Sequence, residues 1–574
     1  MKKPLLIAAF FTVFFSRAQN LATPFEKSRE QASATYFESI AYYRQLQALF
    51  SSVHIRSFDT TDAGYPLSLV IYSKDKQFTP SQWRAGHKVV ILVNNGIHPG
   101  EPDGIDASMQ LLRDLLQQKI ATPDNVVLAI IPVYNIGGSL NRGSFSRVNQ
   151  NGPEAYGFRG NAQNLDLNRD FIKADSKDAI AFTHIFQWLQ PDIFIDNHVS
   201  DGADYQHTMT LLTTQHNKLG GNLGEFLHNR FEPALYKGMQ QKKWDLVPYV
   251  NFEEGNPEKG WMAFYDPPRY SSGYATLFQT LAFMPETHML KPYADRVHST
   301  YALMQTMMEQ ASLMRDSIIA ERAAAIAASM QQQNITLSWQ ADTTQFEYIR
   351  FKGYATATKT SDVTGMPRMY YDHSQPFEKD VRFYNTFKAA VNVQKPRAYI
   401  IPRGWQQAIE RLAANGVQMT QFTQDTTITV SYYHIDDYKA QSRAFEKHHR
   451  NTDIKLSEHA TEQRFVKGDY IVYTGQRADR YIMETLEPLG DDSFFSWNFF
   501  DAVLQQKEGY SNYRWEDVAG PYLQQHPELQ QQLEAKRKAD PLFAGSASAQ
   551  LDFVYKHSPW YEPAHLRYPV YRLN

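Results

Sequence analysis

The sequence predicts an α/β fold, a central sheet covered by helices on both faces, followed by a second unit of mixed α/β character. Three observations point there. From Leu67 onward, strand-like and helix-like segments alternate along the chain. The strand-like segments are unbroken apolar runs such as Val89-Val90-Ile91-Leu92-Val93, the pattern of strands buried on both faces. A long helical pattern from Asp295 to Gln332 then closes on the polar stop Gln331-Gln332-Gln333-Asn334, and the pattern changes after it.

Residues 20–60 mix a Thr-Pro step with helical patterns, notably Tyr36 to Leu49. Strands are predicted at Leu67–Tyr72, Val89–Asn94, Val126–Pro132, Ile193–Asn197, Leu246–Val250 and Leu281–Pro285. Helices are predicted at Asp103–Gln118, Lys177–Leu189, Lys218–Tyr236 and Asp295–Gln332. Together they form a first unit, residues 20–315. In sheets of this kind, sites gather at the carboxyl ends of the strands. The second unit, residues 335–574, has predicted strands at Ile335–Trp339, Phe346–Tyr354, Ala398–Pro402, Thr426–Tyr433 and Tyr470–Tyr473. Its predicted helices are Gln406–Ala414, Ser496–Glu508 and Pro527–Asp540. The aromatic stretch Asp491–Phe500 reads as an interdomain or core cluster ahead of a docking surface, because aromatics bury large areas inside proteins too.

Composition excludes several classes. With 574 residues, length alone favours more than one domain. The net charge is −3 with mixed signs, which gives no reason to invoke nucleic acid. There is no cysteine, so disulfides, thiol nucleophiles, iron–sulfur clusters and cysteine-based zinc sites are excluded. At the N-terminus, Lys2 and Lys3 precede an apolar run from Pro4 to Phe15, and Ser16-Arg17-Ala18 places small residues at the cleavage positions. This predicts a cleaved secretory signal over residues 1–19. No later segment has the roughly 18 consecutive apolar residues of a spanning helix, so the expectation is an exported protein, periplasmic or extracellular, without stable membrane insertion.

The most informative stretch is His98-Pro99-Gly100-Glu101, which follows the apolar run Val89–Val93 through a Gly/Pro loop. A histidine and a glutamate three apart, where a buried strand meets a helix, can close on one metal ion. Two His and one Glu with an open fourth position form a catalytic zinc pattern. His198, in Ile195-Asp196-Asn197-His198, ends another apolar strand and is the candidate third ligand. A second pair, His459 and Glu462, lies in a charged stretch that reads as helical with no buried strand before it, and is assigned to the surface. Between the two histidine strands lies Arg159-Gly160-Asn161-Ala162-Gln163-Asn164-Leu165-Asp166-Leu167-Asn168-Arg169. Further on, Glu286 ends the apolar run Leu281–Pro285. A carboxylate there is costly unless it is paired or functional.

The order His-x-x-Glu, Asp-x-Asn-Arg, strand-ending His, strand-ending Glu resembles the zinc carboxypeptidases of the carboxypeptidase A-like family, over about residues 38–310. The resemblance implies a mixed central sheet with helices on both faces, and one zinc ion per chain held by His98, Glu101 and His198. It implies Glu286 as general base and Arg159 as the oxyanion-stabilising cation. Asn168 and Arg169 would bind the terminal carboxylate of a peptide substrate, for which the guanidinium fork is suited. Asp166 would hydrogen-bond His98 and fix its tautomer. Arg142 and Arg147 are alternatives to Arg159. Tyr265, Tyr270 and Tyr274 compete for the mobile substrate-closing tyrosine, with Tyr270 preferred. His288 lies two residues past Glu286, and its leading reading is a packed or surface histidine.

The resemblance implies a secreted metallocarboxypeptidase acting on peptides with a free C-terminal carboxylate. Two alternatives stand beside it. One is a zinc amidase of the same fold acting on cell-wall peptides or acylated amino acids. The other is a non-catalytic binding protein on the same scaffold.

Overall fold

The computed structural model describes residues 21–251 and 255–574. The predicted signal segment, residues 1–19, lies outside the described residues.

Among the described residues, nine strands of the first unit share one sheet. They are β1 (Val53–Thr60), β2 (Pro66–Tyr72), β3 (Val89–Asn94), β4 (Val126–Ile131), β5 (Ile193–Asp196), β6 (His198–Ser200), β7 (Met209–Thr213), β8 (Leu246–Pro248) and β10 (Leu281–His288). The strand β9 (Trp261–Met262) belongs elsewhere. The order is β1-β2-β4-β3-β5-β10-β7-β8, with β6 continuing β5 beside β10. The central strands β4, β3, β5 and β10 run parallel, whereas β2 pairs with β4 and β7 pairs with β10 antiparallel. The sheet is therefore mixed.

Two apolar cores explain the unbroken hydrophobic runs. Val89, Ile91 and Val93 of β3 enter one core, together with Val126, Leu128 and Ile130 of β4. Val90 and Leu92 enter the other, with Val127, Ala129 and Ile131. Alternate side chains of a strand point to opposite faces, so burial on both faces removes any polar position. The first core is closed by the helices Asp103–Leu116 and Tyr293–Leu313. The second is closed by the helix Lys177–Leu189 and by residues of the C-terminal region, among them Tyr399, Ile409, Leu412, Tyr481 and Phe494.

The C-terminal region adds a six-stranded sheet, a two-stranded sheet and a long antiparallel ribbon, Glu347–Thr360 with Pro367–Tyr384. The ribbon's end also pairs with β9, Phe383 opposite Trp261. The predicted aromatic cluster is internal: Phe494, Phe495, Trp497 and Phe500 are all fully buried.

Several local expectations are corrected. Lys218–Tyr236 is not one helix but a broken series, because Gly220 and Gly221 take positive φ and a π turn at Leu227–Phe231 precedes Pro233. The pattern Asp295–Gln332 is two helices, Tyr293–Leu313 and Arg315–Gln331. Ser496–Glu508 forms turns and a short 3-10 helix at Asp501–Leu504, because burial of aromatics on every side overrides helical spacing. His459 lies on a strand, Asn451–Phe465, not a helix, and it is exposed.

The carboxyl ends of β3 and β5 are joined by a small polar lock. Asn197 Nδ2 donates to Asn95 Oδ1 at 2.8 Å, and Asn95 Nδ2 donates to the Ile131 carbonyl at 3.1 Å and to Ser108 at 3.0 Å. The helix Asp103–Leu116 rests on this lock at Gly104, where a Cβ would lie 2.4 Å from Asn95 Oδ1 and 2.5 Å from Asn197 Cβ. Gly104→Ala is expected to lift the helix off both strand ends and to destabilise the fold by about 1–3 kcal/mol. A thermal-unfolding midpoint equal to that of the parent would refute this account of the lock.

Candidate active site

The loop after β3 carries His98 and Glu101, and the Glu101 N–H donates back to the His98 carbonyl at 2.8 Å, closing a tight turn. Gly96, with φ +63°, turns the chain into that loop. His198 begins β6, one residue after β5 ends. Parallel pairing of β3 with β5 brings the two strand ends side by side.

Each imidazole is held by its Nε2. His98 Nε2 meets Asp166 Oδ1 at 2.8 Å, and His198 Nε2 meets Asp196 Oδ2 at 3.0 Å. The aspartates accept, so these nitrogens carry hydrogen and both Nδ1 atoms turn inward to Glu101. His198 Nδ1 lies 3.2 Å from Glu101 Oε2. His98 Nδ1 lies 3.3 Å from Glu101 Oε1 and is a buried atom with no hydrogen-bond partner. One ligand atom from each of the three residues fits within 4.8 Å of the others, and all three residues are buried. Two imidazole lone pairs and a carboxylate facing one another repel unless a cation stands between them. This donor set fits zinc.

The electrostatics tell the same story. Burial acts against charge on His198, but Asp196 and Glu101 outweigh it and raise the imidazole well above its ordinary value. Burial also pushes Glu101 up, but His98 and Arg147 hold it well below the usual carboxylate range. Burial pushes Glu286 up to about 8, with Glu101 adding to the rise and His198 opposing it.

A cavity of about 380 Å³ opens over the cluster. Glu286 lines it from β10, where its partners in register are His198 on β6 and Thr210 on β7. Arg159 lines it with a side chain 44% exposed. Its Nε donates to Asp166 Oδ2 at 2.9 Å, and its Nη1 lies 3.5 Å from Glu101. Asn168 and Arg169 line the same cavity. Asn168 Oδ1 accepts from the Ser271 N–H at 3.2 Å, so its amide nitrogen is the end left for a ligand. The Arg169 guanidinium sits 4.4 Å from the Tyr270 ring centre.

The structure thus brings His98, Glu101, Arg159, Asn168, Arg169, Tyr270 and Glu286 to one cavity, with His198 and Asp166 directly behind it. Of the three candidate tyrosines, only Tyr270 faces it. The Tyr265 hydroxyl donates to Asp491 at 2.6 Å, and the buried Tyr274 donates to Asn415 at 2.6 Å. Arg142 is turned away and donates to the Ser33 carbonyl. Arg147 does line the cavity, and its Nη1 donates to Glu101 at 3.0 Å. His288 is packed behind the strand against Tyr205, its Nε2 3.0 Å from the Ala203 carbonyl.

Two residues escaped sequence reasoning. Asp196 has the same contact to His198 that Asp166 has to His98. Its position two residues before the histidine, on an apolar strand, was the available signal. Tyr249 lines the cavity just after β8, and nothing in its local sequence marks it.

Fold and site together define a metallohydrolase of the α/β class. Residues 39–211 match the family model described as zinc carboxypeptidase. Carboxypeptidase 2 of Trichophyton equinum is 23% identical over 459 residues, covering 75% of this chain and 77% of that protein. Carboxypeptidase 2 of Trichophyton rubrum is 22% identical over 439 residues, covering 72% and 74%. A solved metallo-carboxypeptidase from Burkholderia cenocepacia aligns over 50% of this chain and 70% of its own, at 16% identity and a TM-score of 0.37. Residues 39–211 thus resemble the zinc carboxypeptidases, and this likeness with that to the curated carboxypeptidases supports a metallocarboxypeptidase.

Asp196 fixes the tautomer of His198, so Asp196→Asn should weaken zinc binding by about 10–100-fold. Competition with a chromophoric chelator measures this, and an unchanged affinity would remove Asp196 from the site.

Proposed function

We propose that this metallocarboxypeptidase is exported and removes single residues from the C-termini of peptides. The catalytic unit would be residues 20–315, with residues 335–574 an accessory unit. One observation carries the reading. A single cavity is lined by zinc-ligand candidates, by the buried carboxylate Glu286, and by Asn168 and Arg169 on loop residues beside it. That spacing of a hydrolytic centre and a carboxylate-binding fork suits an exopeptidase. The export reading rests on the N-terminal pattern. Among the described residues, no helix is long and apolar enough to cross a membrane.

Zinc bound by His98, Glu101 and His198 supplies Lewis-acid polarisation of the scissile carbonyl and acidification of a water. The chain's residues do the rest. Arg169 and the Asn168 amide take the terminal carboxylate and set the register of the last peptide bond. Glu286 accepts the proton of the attacking water and returns it to the leaving amine nitrogen. Its buried surroundings raise its proton affinity, which suits a group that must hold a proton between the two steps. Arg159 donates to the oxyanion as charge develops there. Its guanidinium is anchored through Nε on Asp166, with Nη1 3.5 Å from Glu101, which leaves Nη2 for the substrate.

The wall beside Glu286 is apolar. Met284 shares the face of Glu286 on β10, Leu212 is its cross-strand partner, and Tyr249 and Phe264 line the same cavity. No charged side chain lies among these four. We infer a preference for apolar C-terminal residues.

A peptide library with the last residue varied, in free-acid and amidated forms, tests the reading. Free acids with apolar ends should be cut and amides should not, and equal rates on both would exclude an exopeptidase. Arg169→Ala should raise KM for free acids roughly tenfold or more, since a charge-assisted pair is lost. Glu286→Gln should lower kcat by about 10²–10⁴-fold while zinc stays bound. A variant with full activity would take Glu286 out of the mechanism.

A further inference from the structure

The C-terminal region meets the loop behind the candidate active site at a tight turn. Residues Phe445 to His448 form a two-residue hairpin turn, with Phe445 N–H donating to the His448 carbonyl at 2.8 Å and His448 N–H returning to Phe445 at 3.0 Å. Its two central residues, Glu446 and Lys447, have φ of +50° and +73°. Residues other than glycine and asparagine rarely adopt this backbone, and such turns persist only when their surroundings hold them.

The surroundings here do hold it. His448 Nε2 pairs with Asp175 at 2.7 Å. The Phe445 ring stacks on the buried Trp497, and the His448 ring packs against Trp497 and Phe499. Two further contacts fix the segment that the turn meets. Arg411 Nε donates to the Lys173 carbonyl at 3.2 Å, and the Tyr481 hydroxyl donates to the Ile172 carbonyl at 3.3 Å. The turn points Glu446 at the backbone of Asp166, whose N–H donates to Glu446 Oε2 at 2.9 Å.

Asp166 is the junction of the site. Its Oδ1 holds His98, its Oδ2 holds Arg159, and Arg169 lies 3.8 Å from it. Its side chain also caps the following turn by accepting from the Asn168 N–H at 2.9 Å. The side chain is thus fully engaged; its carbonyl accepts from the Arg169 N–H at 2.9 Å within the same turn, and its N–H is anchored from outside the turn by Glu446.

We propose that Glu446 of the C-terminal region is a positioning residue for the zinc site, fixing the backbone of Asp166 and through it the orientation of His98 and Arg159. Glu446 does not line the cavity and touches no substrate. The role of the C-terminal region at the site is therefore to hold the loop that carries Asp166, Asn168 and Arg169. This rests on the reading of His98 as a zinc ligand and of Asp166 as its orienter.

The test uses the full chain and two readouts, zinc affinity by chelator competition and the split of kcat against KM on a free-acid peptide. Glu446→Ala should lower zinc affinity and kcat each by roughly tenfold, the scale of losing a partner behind a ligand. Glu446→Gln keeps an acceptor oxygen at the same reach and should stay within about twofold of the parent. Glu446→Asp keeps the charge but withdraws the oxygen by one methylene, and should fall with the alanine variant. It also serves where the alanine variant fails to fold. Parental zinc affinity in Glu446→Asp, or a Glu446→Gln variant as impaired as Glu446→Asp, would overturn the proposal. Zinc affinity does not depend on the substrate. A parent that cleaves no peptide but shows this affinity pattern would sink the carboxypeptidase reading and leave the positioning role standing.

Discussion

Two imidazole rings are each pinned through Nε2 by an aspartate, and that leaves both Nδ1 atoms aimed at Glu101. The rest of the site depends on this arrangement. It places two lone pairs and a carboxylate around one point; Arg147 meets the carboxylate from one side at 3.0 Å, and the two nitrogens still need a proton or a cation between them. The His98 Nδ1 atom is the clearest sign, being buried and without a hydrogen-bond partner. Such atoms are rare because each forfeits its hydration without replacement. Here a metal is the replacement that the donor chemistry fits.

The sheet supplies the precision. β3 and β5 are parallel neighbours, so their carboxyl ends lie at the same edge, and β10 brings Glu286 there by pairing with β6 in register with His198. Three short loops then suffice to close the cluster. The Asn95–Asn197 bond ties the first two together below the ligands, and Gly104 allows the helix Asp103–Leu116 to sit directly on that bond. His198 and Glu286 stand on strands, and His98 and Glu101 stand on the tight turn between β3 and the helix Asp103–Leu116. Rigid elements of this kind hold catalytic geometry more closely than loops do.

The site was legible in the sequence where strand ends announced it. Glu286 directly follows an unbroken apolar run, and His98 and His198 lie a few residues past the ends of two others, where a polar side chain is costly unless paired or functional. Asp166, Asn168 and Arg169 were legible only through their resemblance to a family pattern, because a polar loop looks the same whether or not it faces a cavity. Asp196 carries a fainter mark, an acid two residues before His198 that extended backbone turns to the same side. Tyr249 was illegible as a cavity residue, since its position depends on tertiary packing, whereas Arg147 stood among the alternatives to Arg159 and does line the cavity. In the C-terminal region the long ribbon Glu347–Tyr384 showed only in part. Most of its residues are exposed or half-exposed on both faces, and a strand wet on both sides carries no period-two signal. The same reason makes the strand through His459 look like a charged helix.

The C-terminal region is bound to the rest by a shared core, and this bears on the site. One face of the sheet is covered by its own helices, but the other buries Phe171, Ile172, Tyr274 and Phe278 in a cluster that also includes Tyr399, Leu412, Tyr481 and Phe494. Phe171 and Ile172 belong to the loop that begins at Asp166. That loop has a 3-10 turn at Leu167–Arg169, and the buried Asp170 ties it internally to Lys173, Asp175 and Ser176. Its apolar half needs the C-terminal aromatics for burial, and its polar half needs Glu446 and His448 for its backbone and for Asp175. Stripped of that cover, the loop would expose apolar surface and lose its outer anchors together. Asn168 and Arg169, proposed above to bind the terminal carboxylate, would then move with it, while His198 and Glu286 stayed fixed on the sheet. Substrate register and zinc geometry are in this sense supported by different parts of the chain, and Asp166 is where the two supports meet.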